Sequence, residues 1–387
     1  MDTQSTPTLH DLPFRAADFK TLSEALDYAA QGETGANFYT GRGQMYATLP
    51  YSELRTRARV LGRKLLGMGL EKGDHVALIA ETNPEFLQFF FACQYAGLVP
   101  VALPASIKLG GHAAYVKQLG GLLKSSQAAV AMAPEGYITY LEEAGEGLGL
   151  RMIGTPEAFD RLPEADVAFP ESDAEDVAYL QYTSGSTKFP RGVVIRQRSV
   201  MSNLGGIIRH GVRIGPGDRC FSWLPFYHDM GLVGLVLVPV ASQTSVDYLD
   251  TREFAMRPRQ WLNLMTRTKA TISFSPPFGY ELCTRRLRKG EAEKYDLSNW
   301  RVAGVGAEMI RSDTLERFAR ALAPAGFSEK AFLACYGMAE RSLAVSLARL
   351  HGAHSTDCVD GDHHADCQQA LPIAEVENPG RARCFVE

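Results

Sequence analysis

The sequence predicts an α/β fold in which layered, largely parallel β-sheets are flanked by helices. Two observations support this prediction. Short apolar runs alternate along the chain with segments of helical periodicity. The chain has 387 residues, of which 45% are hydrophobic and 22% charged, an ordinary globular composition in a chain too long for a single hydrophobic core. We therefore expect two or more subdomains.

The first half of the chain forms one unit of this alternation. Tyr51–Gly69 has apolar residues at spacings of three and four and basic residues on its other face, which predicts an amphipathic helix. Phe86–Ile107 is uncharged, but two glutamines and two prolines interrupt it, so a buried helix followed by a buried strand is favoured over a membrane span. The expected elements are a helix at Phe19–Ala30, a strand at Asn37–Ala47, the helix Tyr51–Gly69, a strand at His75–Ala80, a helix at Pro84–Ala96, a strand at Val99–Leu103, a helix at Ala113–Ser125 and a strand at Ala128–Met132.

A second unit follows the acidic, proline-containing stretch Pro163–Asp176, which we interpret as a linker. Ser199–His210 predicts a helix capped by its serine. From His351 onward the periodicity is lost, so we predict subdomains over residues 1–175 and 176–345 and a separate segment over 346–387. The strands expected in the second unit are Val177–Tyr182, Gly192–Arg196, Cys220–Leu224, Ser245–Leu249, Thr271–Ser275, Arg301–Gly306 and Phe332–Tyr336.

Charge and cysteine content narrow the classes of function. A net charge of -4 argues against a nucleic-acid-binding surface, which normally carries a basic excess. Seven cysteines spread along the chain suit reduced thiols, and the first residues lack the apolar core of a signal peptide. We expect a cytoplasmic protein with no nucleic-acid partner and no stable membrane insertion.

A loop rich in hydroxyl groups separates the predicted strands Val177–Tyr182 and Gly192–Arg196. Its hydroxyls, flexible glycine and backbone N–H groups suit a polyphosphate, and Lys188 and Arg191 add positive charge. It is not a Walker loop, because no GK[ST] follows at the required spacing. Such a sequence is often only a turn, but its position after a buried strand favours phosphate binding.

This loop, Tyr182–Gly192 (YTSGSTKFPRG), resembles the phosphate-binding motif of the adenylate-forming superfamily, which includes acyl-CoA synthetases, luciferases and non-ribosomal adenylation domains. Three further segments follow in that superfamily's order. Trp223–Gly231 resembles the acyl-pocket and helix motif, Gly306–Glu308 the adenine-contacting turn, and Tyr336–Glu340 the motif that stacks on adenine and supplies a magnesium-linked glutamate. The resemblance implies the fold of the acyl-adenylate synthetase large domain, with ATP and Mg²⁺ as cofactors.

Departures from the common pattern point to a subfamily. Lys188 stands where most family loops have glycine, and Ala339 where many have threonine. The runs LPFYHDMGL and CYGMAERSL resemble fatty acyl-AMP ligases, in which an insertion after the second run obstructs the movement that would admit coenzyme A; His351–Arg383 stands in that place. The resemblance implies a fatty acid as substrate and, as acceptor, an acyl carrier protein or a carrier domain of a polyketide or non-ribosomal peptide synthase. A fatty acyl-CoA synthetase is the alternative.

The resemblance also implies residue roles. His228, Lys188 and Glu340 are expected to be catalytic, with Glu340 and Thr187 on Mg²⁺ and Met230 and Gly231 beside His228 at the acyl site. Nucleotide contacts are expected from Thr183, Ser184, Gly185, Ser186, Thr187, Gly306, Ala307, Glu308, Tyr336, Gly337, Met338 and Ala339.

Structural alternatives stand beside these roles. The less favoured alternatives are that His228 caps the helix that follows it, that Glu340 is a glutamate at a helix N-terminus, and that Tyr336 is a core aromatic, whereas Met230 would equally be a core residue. The histidines and cysteines of the tail suggest zinc, but their spacing matches no standard pattern, so a solvated loop is favoured. Those tail residues are His351, His354, Cys358, His363, His364 and Cys367.

Two other functions remain open. An acyl hydrolase would use Ser184 or Ser186 with His228 and Asp229, but the sequence has no G-x-S-x-G elbow, and its histidine and aspartate are adjacent, an unfavourable arrangement for a relay. A non-catalytic acyl- or nucleotide-binding module is the other. Family members continue into a ribose-binding aspartate motif and a mobile domain with a catalytic lysine, so we expect this chain to be the amino-terminal part of such an enzyme and weakly active or inactive alone.

Overall fold

The computed structural model describes residues 12–105, 111–183 and 190–352, together with the backbone of 356–360 and 382–386. It confirms the α/β prediction of largely parallel sheets flanked by helices. Contacts divide the chain into two compact units, Met1–Glu253 with Met338–Leu343, and Phe254–Gly337 with Ala344–Glu387. No helix of the described residues combines the length and apolar character needed to cross a bilayer.

The helices are α1 Leu22–Ala29, α2 Tyr51–Gly67, α3 Pro84–Ala96, α4 Gly111–Ser126, α5 Ile138–Gly145, α6 Pro156–Asp160, α7 Gln197–Gly206, α8 Asp229–Leu232, α9 Val238–Ala241, α10 Thr251–Met256, α11 Arg259–Thr268, α12 Pro277–Arg286 and α13 Ser312–Leu322. The strands are β1 Gly35–Tyr39, β2 Met45–Pro50, β3 His75–Ile79, β4 Val99–Leu103, β5 Val130–Met132, β6 Met152–Gly154, β7 Val177–Tyr182, β8 Gly192–Arg196, β9 Arg219–Ser222, β10 Ser245–Leu249, β11 Ile272–Ser275, β12 Val302–Val305, β13 Phe332–Gly337, β14 Ala344–Leu347, β15 Thr356–Asp360 and β16 Ala382–Val386.

The first unit contains a six-stranded sheet in the order β6-β5-β3-β4-β7-β8. Its pairs are parallel except for β7 and β8, which are antiparallel neighbours. All five residues of β4 are buried, and α3 precedes it, which confirms the buried helix and strand predicted for the uncharged stretch. Helix α3 is well delimited: Asn83 Oδ1 accepts a hydrogen bond from Phe86 N–H at 2.9 Å, and Gly97 ends the helix in the left-handed conformation.

The same unit contains the strands β9, β10, β1 and β2. β10 pairs in parallel with both β9 and β1, and β1 forms an antiparallel hairpin with β2. The single strand predicted at Asn37–Ala47 is therefore wrong. Thr40–Gly43 forms a tight turn, with Gly43 N–H donating to the Thr40 carbonyl at 2.7 Å, because glycine adopts the positive φ that the turn requires.

In the second unit β11, β12 and β13 are parallel, and β14 adds an antiparallel edge to β13. Helices α12 and α13 cover these strands through a cluster of aromatic rings. The ring centroid of Tyr280 lies 5.0 Å from that of Phe318 and 5.5 Å from that of Phe332. In the tail, β15 and β16 form an antiparallel pair, although the sequence there shows no regular period.

One further expectation differs from the structure, and another stays a prediction. Strand β7 pairs with β4 through Leu180 and Val101 and lies in the same compact unit as the preceding strands, while the subdomain division at residue 175 stays a prediction. The serine cap predicted at Ser199 is wrong, since α7 already begins at Gln197, directly after β8, and its first residue lacks a side-chain cap.

Candidate functional site

The hairpin formed by β7 and β8 frames the predicted phosphate loop. Tyr182 pairs with Gly192 at the end of the ladder, and Thr183 N–H donates to the Arg191 carbonyl at 3.1 Å, so the chain leaves and re-enters the sheet at one point. Thr183 itself is half-buried. The predicted phosphate-binding residues that lie outside the described residues are Ser184, Gly185, Ser186, Thr187 and Lys188.

A turn after β9 carries His228. His228 is the residue before α8, and its carbonyl accepts hydrogen bonds from Gly231 N–H at 3.0 Å and Leu232 N–H at 2.8 Å. Gly231 is required by this turn, because a Cβ at that position would overlap the carbonyl oxygen of Pro225. Met230 is buried, while the side chain of His228 is 47% exposed. The sequence motif thus folds into a compact turn with the imidazole at its surface.

The imidazole of His228 is held by its neighbour. Nδ1 lies 2.9 Å from Oδ1 of Asp229, and Met230 N–H approaches Asp229 Oδ1 at 2.7 Å and His228 Nδ1 at 3.2 Å. The helix-capping alternative for His228 therefore has a structural basis. The turn brings His228 and Asp229 into contact although they are adjacent in sequence. The serines of the acyl-hydrolase alternative, Ser184 and Ser186, lie outside the described residues, so the prediction of an unfavourable relay stays a prediction.

Strand β7 is tied to the turn that carries His228. Nε2 of the buried Gln181 donates to the Tyr227 carbonyl at 2.7 Å. Two residues earlier on the same face of β7, burial and the charge of Asp229 raise the pKa of Tyr179, so this phenol stays neutral. The sequence analysis missed Gln181, although a glutamine inside an apolar strand next to a functional loop is a signal that could have found it.

Glu340 lies on a single 3₁₀ turn, Ala339–Arg341, that packs against β8. Met338 N–H donates to the Leu343 carbonyl at 2.8 Å, and Ser342, buried and at a φ of 70°, closes the turn. The alternative that Glu340 occupies the N-terminus of a helix is wrong, because the chain passes from this turn directly into β14. Ala339 is buried beneath the turn, whereas the Glu340 side chain is exposed.

In the second unit, the predicted adenine-contacting turn Gly306–Glu308 follows the strand next to the one that ends with Tyr336 and Gly337. β12 pairs with β13, so Gly306 comes next to Cys335, and a Cβ on Gly306 would lie 2.5 Å from the Cys335 carbonyl oxygen and 2.7 Å from its Sγ. Ala307 follows with a φ of 67°, and partial burial raises the pKa of the Glu308 carboxyl above its usual value.

Tyr336 is 60% exposed near the end of β13, directly before Gly337. The alternative that Tyr336 is a core aromatic is therefore wrong. Met338, in the neighbouring segment of the chain, is likewise exposed, at 37%. An exposed aromatic ring beside a glycine turn offers a flat apolar surface of the kind on which a purine base stacks.

The tail adds no metal centre to the described residues. His351 is exposed, and the searched part of the chain contains no group of three or more histidine, cysteine, aspartate or glutamate side chains that would hold a metal ion. The side chains of His354, Cys358, His363, His364 and Cys367 lie outside the described residues, so zinc binding there stays a hypothesis.

Residues 26–376 match the family model of the AMP-binding enzymes. The chain belongs to this family. It is 46% identical over 381 residues to a Caulobacter vibrioides protein whose name assigns it provisionally to the acyl-CoA synthetases, covering 98% of this chain and 66% of that protein. It is also 30% identical to a medium-chain-fatty-acid–[acyl-carrier-protein] ligase of Moorena producens, covering 87% of this chain and 57% of that one.

Solved structures of the AMP-binding family agree. A chain from a study of fatty acyl-adenylate ligases of E. coli and L. pneumophila is 47% identical with a TM-score of 0.92, covering 97% of this chain and 67% of the other. An L. pneumophila fatty acyl-adenylate ligase in complex with acyl adenylate and pyrophosphate is 28% identical with a TM-score of 0.81, covering 95% and 63%. The resemblance to fatty acyl-AMP ligases is thereby confirmed. The chain spans 66% and 57% of the length of the two curated relatives named above.

Proposed function

We propose that the protein containing this chain activates a fatty acid with ATP to an acyl-adenylate and releases pyrophosphate. The phosphopantetheine thiol of a carrier protein then attacks the acyl carbonyl, which forms a thioester and breaks the bond to AMP, the leaving group. Membership of the AMP-binding family and similarity to fatty acyl-adenylate ligases support the first step. The observation that carries the proposal is the packing of the Glu340 turn against β8, since β8 is the strand that leaves the phosphate loop. A carboxylate beside a phosphate loop suits metal-assisted phosphate chemistry.

In the proposed first step, a carboxylate oxygen of the fatty acid attacks the α-phosphorus of ATP. The new bond joins the acyl oxygen to phosphorus, and the broken bond joins that phosphorus to the bridging oxygen of pyrophosphate, which leaves with the electron pair. Negative charge accumulates on the phosphoryl oxygens, so catalysis depends on position and electrostatics. The loop Thr183–Lys188 holds the β- and γ-phosphates in this proposal.

His228 stands at the carboxylate and the α-phosphate in this scheme. Because Asp229 holds Nδ1 at 2.9 Å, Nε2 is the ring nitrogen left for a substrate oxygen. An Nε2–H donor there, which is present when Nδ1 accepts from Met230 N–H or when both ring nitrogens carry a proton, would stabilise the charge that develops during attack. Met230 and Gly231, which follow in the same turn, form the wall of the acyl site.

The donor chemistry near β8 fits Mg²⁺. Glu340 is the single carboxylate of the segment Met338–Leu343, and its side chain is exposed. In phosphate sites Mg²⁺ is bound through one or two carboxylates together with substrate phosphates. Glu340, with the Thr187 hydroxyl, would hold it, and the ion would neutralise charge on the phosphate oxygens.

For the second step, two acceptors compete. The similarity to a carrier-protein ligase of Moorena producens, and the segment after Glu340 that resembles the insertion of fatty acyl-AMP ligases, support a carrier-protein thiol. The higher identity, 46%, to a relative named for coenzyme A keeps an acyl-CoA synthetase as the second candidate.

The test of the first step is pyrophosphate exchange with the full-length protein, ATP and a panel of fatty acids. We expect exchange only when a fatty acid is present. A protein that binds nucleotide or fatty acid yet shows no exchange with any member of the panel is a binding module, and the proposal is then wrong.

The test of the second step measures product masses with coenzyme A or a phosphopantetheinylated carrier protein as acceptor. We expect the acyl group on the carrier and little acyl-CoA. Efficient acyl-CoA formation would instead support the synthetase, and the masses identify the chain length in either case.

A further inference from the structure

Gln181 connects two segments that the proposed function brings to one substrate. It is the fifth residue of β7, and the phosphate loop begins two residues later at Thr183. Its side chain is 1% exposed, and Nε2 donates to the Tyr227 carbonyl at 2.7 Å, one residue before His228. A single buried amide thus spans the strand that delivers the phosphate loop and the turn that carries the imidazole.

The geometry fixes which end of the amide points at the turn. The Tyr227 carbonyl accepts but cannot donate, so the NH₂ group has to face it, and a flipped amide would set two oxygens against each other. Nε2 also approaches the Tyr182 carbonyl at 3.4 Å, while Oε1 is buried and accepts no hydrogen bond from the described part of the chain. A buried amide whose NH₂ group is hydrogen-bonded while its oxygen is not contributes little net stability, so stability alone explains it poorly.

A second buried glutamine contacts the same strand and provides a comparison. Gln94 of α3 donates to the Ala178 carbonyl near the other end of β7 at 2.8 Å, and its Oε1 accepts from Gln197 Nε2 at 2.8 Å. Gln94 is 3% exposed, close to Gln181 in burial. Its amide is hydrogen-bonded at both ends, and the strand residue that it contacts, Ala178, lies three residues further from the phosphate loop than Gln181 does. Gln94 therefore has the stabilising role without the link to the His228 turn.

We propose that Gln181 is a positioning residue for acyl-adenylate formation, which sets the His228 turn at a fixed place relative to the strand entering the phosphate loop; this inference rests on the proposed function. Attack on the α-phosphorus requires the imidazole and the phosphate-binding loop to be in register. Because small displacements of groups around a reacting centre reduce rates steeply, loss of this hydrogen bond lowers turnover more than it lowers substrate binding.

The test compares Gln181→Leu with the matched Gln94→Leu in the full-length protein. Each change removes a side-chain donor to a backbone carbonyl, and the two glutamines are buried to about the same extent. We expect Gln181→Leu to lower kcat for fatty-acid-dependent pyrophosphate exchange by about 10- to 100-fold, with KM for ATP changed much less. We expect Gln94→Leu to lower the unfolding midpoint at least as much while leaving kcat close to wild type.

Other outcomes decide the matter differently. Equal effects of the two leucine variants on kcat, or a change in KM alone, would overturn the positioning role. Gln181→Met, which keeps the length of the side chain, is the second variant, and failure of both Gln181 variants to fold while Gln94→Leu folds would assign Gln181 a structural role. Wild-type protein inactive with every fatty acid would overturn the proposed function itself, whereas an active wild type with unaffected Gln181 variants would overturn this inference only.

Discussion

Nδ1 of His228 and Oδ1 of Asp229 lie 2.9 Å apart in a turn that closes on the backbone within three residues. This contact has two consequences. It fixes the orientation of the ring, because one nitrogen is engaged by a partly buried carboxylate. It also leaves the same ring at the start of α8, where Met230 N–H points toward it, so a structural and a chemical role coincide in one side chain. Substitutions can separate the two.

Replacing His228 with asparagine keeps a strong helix cap and removes the imidazole. We expect the unfolding midpoint of His228→Asn to stay near the wild-type value and kcat for adenylate formation to fall about 100-fold, the size of effect seen when one charge-stabilising donor is lost. Thermal unfolding measures the midpoint and pyrophosphate exchange measures kcat, both on the same sample. Retained activity in His228→Asn would leave His228 with the capping role alone.

Glu340→Gln removes the carboxylate assigned to Mg²⁺ and keeps the shape of the side chain. We expect the Mg²⁺ concentration for half-maximal activity to rise about tenfold, equivalent to roughly 1.4 kcal/mol of binding free energy. Glu329→Gln, an exposed glutamate on another 3₁₀ turn, is the matched control and should leave this value unchanged. A Mg²⁺ titration identical in both variants would remove Glu340 from the proposed metal site.

Gly231→Ala tests the close contact beneath the His228 turn. The added methyl group would overlap the Pro225 carbonyl, so we expect a loss of about 1–3 kcal/mol in the free energy of unfolding, together with lower activity. Gly121→Ala is the control, because Gly121 is an exposed residue inside α4 with open space around its Cβ position; there we expect a gain of about 0.5–1 kcal/mol. Urea unfolding measures both, and an unchanged midpoint for Gly231→Ala would contradict the packing.

Stability should fall at alkaline pH. Burial raises the pKa of the Cys335 thiol to about 12 from an ordinary value near 9.0, so the folded chain keeps the proton that the unfolded chain loses first. The contribution is complete below the unfolded value and is lost as pH rises from there through the folded value. Urea midpoints measured at intervals above pH 9 should decline less steeply in Cys335→Ala than in wild type. Equal slopes would mean that Cys335 contributes nothing to the decline.

The parts of the fold that could be predicted from the sequence are those in which local signals and burial agree. For α3, the asparagine cap, the proline at the first turn and the glycine at the end lie next to an uninterrupted apolar run, and the helix was predicted with the bounds that it has. The strand predicted across Thr40–Gly43 failed because a turn of this kind interrupts a β-run without changing its composition much. The ladder of β15 and β16 depends on pairing between distant segments, which periodicity does not report.

The residues of the candidate site also differ in how far the sequence could predict them. Motif residues such as Gly306 and Gly231 could be identified because they belong to short, recognisable sequence motifs. The backbone around each of them leaves no room for a side chain, so the motif requires glycine there. Gln181 stands out in the sequence only as a polar residue in an apolar strand, and its partner could not be predicted, since the carbonyl that it contacts lies 46 residues away in sequence. The contact of His228 with Asp229 could not be predicted, because sequence spacing alone does not describe the sharpness of a turn.

The approach of Gly306 to Cys335 also limits how this enzyme family member can be redesigned. The obstacle to a larger residue at position 306 includes a main-chain oxygen, 2.5 Å from where a Cβ would stand, and no substitution at the neighbouring position can remove a main-chain atom. We therefore expect variants with a larger residue at position 306 to fold poorly. The ring proposed to stack on adenine, that of Tyr336, is 60% exposed, so we expect that position to accept other side chains without a clash of this kind.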